Sequence, residues 1–74
     1  MSNTIRMIGR RVRVAREQLS YSIDEFAVEI GVTPGLLRDV EDGTVEIGCS
    51  SLAKVAKLSD KPIEFFVGGV RRAG

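Results

Sequence analysis

The sequence predicts an all-α fold, five short helices around one core. Three observations predict it. A chain of 74 residues can support one core and leaves no room for a second domain. Apolar residues recur in steps of three and four. Helix start and stop residues punctuate the chain at short intervals.

The first helix is expected near residues 4–19, because Ile5, Ile8, Val12, Ala15 and Leu19 form one apolar stripe. Most of the arginines lie on its other face, open to two readings: a solvated charged face or a phosphate-contact face. The helix breaks at Ser20-Tyr21. Ser22-Ile23-Asp24-Glu25 has the Ser-x-x-Glu form of a capping box, in which the serine accepts from the third helical N–H and the glutamate reaches back. A second helix is therefore expected near 23–30, with Phe26, Ala27 and Ile30 inward and Gly31 ending it in the left-handed conformation.

Only Val32 separates that stop from the next start. Thr33 can cap, and Pro34 suits the first helical position, where its missing N–H costs nothing. The third helix, near 34–42, has Leu36, Leu37 and Val40 as its apolar face and Gly43 as its stop. Two short helices joined by a tight glycine-containing turn make a helix-turn-helix unit. A fourth helix is expected near 49–58 from Leu52, Val55, Ala56 and Leu58. A last turn follows near 62–67, with Asp60 or Lys61 as cap and Pro62 in the first position. The expected core is Ile8, Val12, Leu19, Phe26, Ala27, Ile30, Val32, Leu37, Val40, Leu52, Val55, Ala56 and one of Phe65 or Phe66. Residues 1–4 and 69–74 are read as tails around a domain at 5–68.

Composition removes whole classes of function. There is no histidine and one cysteine, so neither an internal disulfide, a His/Cys metal site nor a Cys-His nucleophile pair can form. The chain reads as a non-enzyme without cofactor or metal. Cys49 reads as a small buried hydrophobe, with a reactive or intermolecular thiol as the alternative. No apolar run approaches the roughly 18 residues of a membrane span, and no secretion signal is visible. A soluble, cytoplasmic protein is expected.

The net charge of +1 conceals segregation along the chain. Residues 1–19 hold five arginines against Glu17, a balance of +4. Residues 20–48 set Arg38 against Asp24, Glu25, Glu29, Asp39, Glu41, Asp42 and Glu46, a balance of −6. The rest, with Lys54, Lys57, Lys61, Arg71 and Arg72 against Asp60 and Glu64, stands at +3.

Taken in order, Ile8-Gly9-Arg10-Arg11-Val12-Arg13, Ser22-Ile23-Asp24-Glu25-Phe26-Ala27, Gly31-Val32-Thr33, Val40-Glu41-Asp42-Gly43, Leu52 and Val55-Ala56 resemble the lambda-repressor-like Cro/repressor (Xre) helix-turn-helix family. The likeness runs over about residues 5–68. The stretch from Ile47 to Phe66 looks closest to a subgroup common in alphaproteobacteria. The resemblance implies a transcriptional regulator whose third helix enters the major groove of duplex DNA. It implies base-contact positions at Thr33, Gly35, Arg38 and Asp39, and phosphate-contact positions at Arg10, Arg13, Ser22, Ile23 and Thr44. Ile23 stands where the family often has glutamine, and Pro34-Gly35 where polar pairs are frequent. Arg38 is then the strongest candidate for guanine, while Asp39 could accept from cytosine N4. Arg6, Arg16 and Lys54 are further phosphate candidates.

Two functions follow from different classes. One is a sequence-specific DNA-binding regulator, expected as a homodimer through Ile63, Phe66, Val67 and Val70, because a domain this small cannot hide its whole apolar C-terminal end. The other is a helix-turn-helix protein-interaction module whose acidic third-helix face sequesters a basic protein partner.

Overall fold

The structure, a computed structural model, describes residues 3–68. Five helices follow one another: α1 (Asn3–Gln18), α2 (Ile23–Ile30), α3 (Pro34–Asp42), α4 (Cys49–Ser59) and α5 (Ile63–Val67). No strand occurs among the described residues. α1 packs on α3, α4 and α5, while α2 closes the other side against α3 and α4. No helix among them is long and apolar enough to cross a membrane.

Local chemistry sets the ends of α2 and α3. The Glu25 N–H donates to Ser22 Oγ at 3.1 Å and the Ser22 N–H donates to Glu25 Oε1 at 3.0 Å, so the capping box is complete. The Leu36 N–H donates to Thr33 Oγ1 at 3.1 Å, and Pro34 begins α3 as expected. Gly31 (φ 77°) and Gly43 (φ 83°) end the two helices in the left-handed region. The next residue closes each reversal, Val32 N–H on the Ala27 carbonyl and Thr44 N–H on that of Asp39, both at 3.0 Å.

α1 and α4 end in the same way without glycine. Ser20 (φ 63°) follows α1, with Tyr21 N–H on the Arg16 carbonyl at 3.1 Å. Asp60 (φ 57°) follows α4, with Lys61 N–H on the Ala56 carbonyl at 3.0 Å. Asp60 therefore closes α4 and does not open α5, contrary to the sequence expectation. The reversal is finished before Pro62, which is extended (ψ 156°) and stands just ahead of α5 instead of in its first turn.

Most of the expected core is buried: Val12, Phe26, Ala27, Ile30, Leu37, Val40, Leu52, Val55, Ala56 and Phe66, with Ile8 and Val32 packed against it. Leu19 is not part of it. At 37% exposed it has been turned outward because α1 ends at Gln18 and the chain reverses at Ser20. Cys49 is also a correction, since its position at the start of α4 leaves it exposed, at the rim of an apolar cavity of about 160 Å³ lined by Ile5, Ile8, Val40 and Leu52.

Gly9 has a role that periodicity could not show. It is buried where α1 crosses α3, and a Cβ built there would run into the Val40 carbonyl and lie 3.4 Å from Glu41 Cα. The absence of a side chain lets the two helix backbones touch.

Candidate nucleic-acid interface

The unit formed by α2, the turn 31–33 and α3 presents one face of α3 outward. Leu37 and Val40 are buried beneath it, and Gly35, Arg38, Asp39 and Asp42 are exposed on the opposite side. With about 100° between successive residues, these four fall along one outward strip. Arg38 and Asp39 form no side-chain hydrogen bond or ion pair among the described residues. Gly35 faces open space, with nothing within 4 Å of a Cβ built on it.

The remaining candidates are already partly engaged. Thr33 is exposed, but its oxygen accepts the Leu36 N–H, which leaves the hydroxyl proton to donate. Ser22 contributes both its oxygen and its N–H to the capping box. Ile23 packs its side chain against the core, so the backbone N–H is all it can offer a phosphate. Thr44 donates both its N–H and its hydroxyl to the Asp39 carbonyl, at 3.0 and 3.1 Å, and so pins the exit from α3.

The arginines of α1 separate into distinct roles. Arg10 is exposed and, with Asn3, Arg6 and Met7, lines a shallow groove along the helix. Arg6 also lies against Gly43, a Cβ there coming within 2.6 Å of Arg6 Cγ. Arg13 pairs with Glu17 at 3.1 Å, both side chains more than half exposed. Such a pair is worth at most about 1 kcal/mol, so a phosphate can replace the carboxylate.

Arg16 drops out as a phosphate ligand. Its guanidinium grips both oxygens of Glu41 at 2.8 and 3.1 Å and donates to the Tyr21 carbonyl at 2.9 Å, with only 12% and 5% of the two side chains exposed. Hydrogen bonding to Glu41 raises the Arg16 pKa, burial opposes the rise, and the charges of Glu41 and Glu17 reinforce it. The pairing with Glu41 therefore favours the charged form of Arg16. Arg11 is committed as well, donating to the Gly68 carbonyl at 2.8 Å and the Phe65 carbonyl at 3.3 Å, where it caps the end of α5.

At the C-terminal end the two phenylalanines divide. Phe66 is wholly buried in its own chain's core, which removes it from the expected dimer surface. Phe65 stands outside it, edge-on to Phe66 at 5.0 Å and beneath Lys61 Nζ at 4.8 Å. Ile63 is exposed beside it and Val67 is partly buried. Val70, and the basic pair Arg71-Arg72, lie outside the described residues.

The spacing of Leu36 groups it with Leu37 and Val40 on the apolar face of α3. In the fold it sits on the flank of α3 and is 38% exposed.

Two curated proteins, both named uncharacterized HTH-type transcriptional regulators, are similar to the chain. They come from Sinorhizobium medicae (strain WSM419) and Rhizobium meliloti (strain 1021). Each is 29% identical over 59 residues, covering 80% of this chain and 42% of the relative. The similarity and the helical fold support a helix-turn-helix family. The chain spans less than half the length of the curated relatives it matches, and no protein-family model matches it.

Proposed function

We propose that this chain is a cytoplasmic DNA-binding transcriptional regulator of the Cro/repressor (Xre) type, with residues 5–68 as its binding domain and α3 as the helix that enters the major groove. The observation that carries the reading is the capped α2-turn-α3 unit, whose outward strip holds Arg38 and Asp39 without side-chain partners among the described residues. The names of the two relatives support it. Arg38 reads guanine through O6 and N7, and Thr33, Gly35 and Asp39 complete the surface toward the bases. Arg10 and Arg13, with the backbone N–H of Ile23 and the hydroxyl proton of Ser22, face phosphates, while Thr44, whose N–H and hydroxyl both go to the Asp39 carbonyl, fixes the exit from α3. Two copies meeting through Ile63, Phe65 and Val67 would read a two-fold site; a chain that sediments only as a monomer removes that part.

The test is selection of duplexes from random DNA, followed by salt titration of the winners. Arg38→Ala is expected to cost about 1–3 kcal/mol and to relax specificity at one base pair. Arg10→Ala should instead weaken all duplexes alike and lower the salt slope by about one. Unchanged affinity in both variants refutes insertion of α3.

One observation favours a second reading. On the outward strip of α3, Asp39 and Asp42 outnumber Arg38, and Asp24 and Glu25 stand exposed in the first turn of α2. A basic protein partner would then take the place of DNA, and the selection would return no preferred sequence.

A further inference from the structure

Beyond the capping Thr33, the first three side chains of α3 carry no polar group: Pro34, Gly35 and the 38%-exposed Leu36. Apolar groups have one feature to read in the major groove, a methyl on the C5 position of a pyrimidine. One turn further along the same flank comes Asp39. Residues three apart on a helix lie within about 60° of each other and have Cβ atoms about 5–6 Å apart. The Asp39 carboxylate is exposed and takes no hydrogen bond or ion pair from the described residues; it is the backbone carbonyl of Asp39 that receives Thr44.

An aliphatic side chain beside a bare acceptor is an unusual pair to aim at DNA. Thymine presents the C5 methyl but places O4, an acceptor, next to it, which a carboxylate repels. Cytosine presents the N4 amino donor that a carboxylate accepts, but has no methyl for the leucine. A base carrying both, side by side on its major-groove edge, is 5-methylcytosine.

We infer that Leu36 and Asp39 together form a reading site for 5-methylcytosine in duplex DNA. The inference rests on the proposal that α3 enters the major groove, and it names the base that the helix prefers. Leu36 covers the methyl and Asp39 accepts from N4. Glu41, one helical turn from Leu37, does not compete, because Arg16 holds both its oxygens at 2.8 and 3.1 Å. Arg38, the adjoining residue on α3, supplies the positive charge that lets a carboxylate sit among phosphates.

The experiment uses the full chain and two random duplex libraries, one copied with deoxycytidine and the other with 5-methyldeoxycytidine. Each winner is then remade with cytosine, 5-methylcytosine or thymine at every pyrimidine position, and affinities are measured by fluorescence anisotropy. One position is expected to prefer 5-methylcytosine to cytosine by about fourfold, the value of burying one methyl, and to thymine by tenfold or more, the usual size of a base mismatch at a side-chain contact. Leu36→Ala should erase the first preference and keep the second. Asp39→Asn should erase the second and keep the first, since an amide can donate to O4. Circular dichroism of Leu36→Ala checks that the helices persist, and the base substitutions test the wild-type chain without any variant. Winners that bind equally with cytosine and 5-methylcytosine at every position, or a methyl preference that survives Leu36→Ala, overturn the inference while leaving DNA binding in place. If neither library yields a winner, the DNA-binding reading fails first and this inference fails with it.

Discussion

Gly9 and Gly35 both lie in helices, and the same substitution is expected to change stability in opposite directions. Glycine inside a helix costs roughly 0.5–1 kcal/mol relative to alanine, so a methyl added to either should help if propensity alone mattered. At Gly35 nothing lies within 4 Å of the new Cβ, and Gly35→Ala should stabilise the fold by up to about 1 kcal/mol. At Gly9 the methyl meets the Val40 carbonyl, with the Val40 carbonyl carbon at 3.0 Å and Glu41 Cα at 3.4 Å. These are backbone atoms of α3, and the same carbonyl accepts the Gly43 N–H at 3.0 Å, so they cannot yield as a side chain would. Forcing extra volume into such a contact costs about 1–3 kcal/mol. The upper end applies where both surfaces are backbone. After the propensity gain, Gly9→Ala should lose about 2 kcal/mol, which for a domain this small lowers Tm by about 8–16 °C. Thermal unfolding followed by circular dichroism at 222 nm reads both variants. A Gly9→Ala protein that melts at or above the wild-type temperature would show that α1 and α3 separate freely, and the account of their crossing would be wrong.

Two further predictions concern stability. Glu41→Gln removes the carboxylate that holds Arg16 and leaves a nearly buried guanidinium without its counter-charge. It should cost about 3 kcal/mol in urea unfolding, whereas Glu17→Gln, at the exposed Arg13 pair, should change stability by less than about 1 kcal/mol. Ser20→Gly and Asp60→Gly relieve left-handed residues at φ 63° and 57°; each should gain about 0.5–1 kcal/mol after the entropy that glycine adds to the unfolded chain. Asp60→Gly should gain the more, since it also removes an anion from the negative end of α4. Equal or lower midpoints for both glycine variants would refute the argument.

Helices α2 and α3 and the turn between them could be read from the sequence because every signal involved acts within a few residues. Ser22 and Glu25 are three apart, Thr33 caps an N–H three residues on, and Gly31 and Gly43 adopt a conformation that suits their own lack of a Cβ. The spacing of Phe26, Ala27, Ile30, Leu37 and Val40 likewise determined which faces would be buried. What depended on partners far along the chain could not be read. Arg10, Arg11 and Arg16 are alike as residues. Only folding brings Arg16 to Glu41, 25 positions on, and Arg11 to the Gly68 carbonyl, 57 positions on, leaving Arg10 in solvent. The same holds for Phe65 and Phe66, adjacent residues with touching rings, of which only Phe66 is buried once the short α5 docks against α1. Gly9 is legible only once α3 lies across it. Local hydrogen bonds and φ preferences are properties of neighbouring residues, so a string of residues records them. Close approach, burial and charge pairing are properties of surfaces that come together only when the chain has folded.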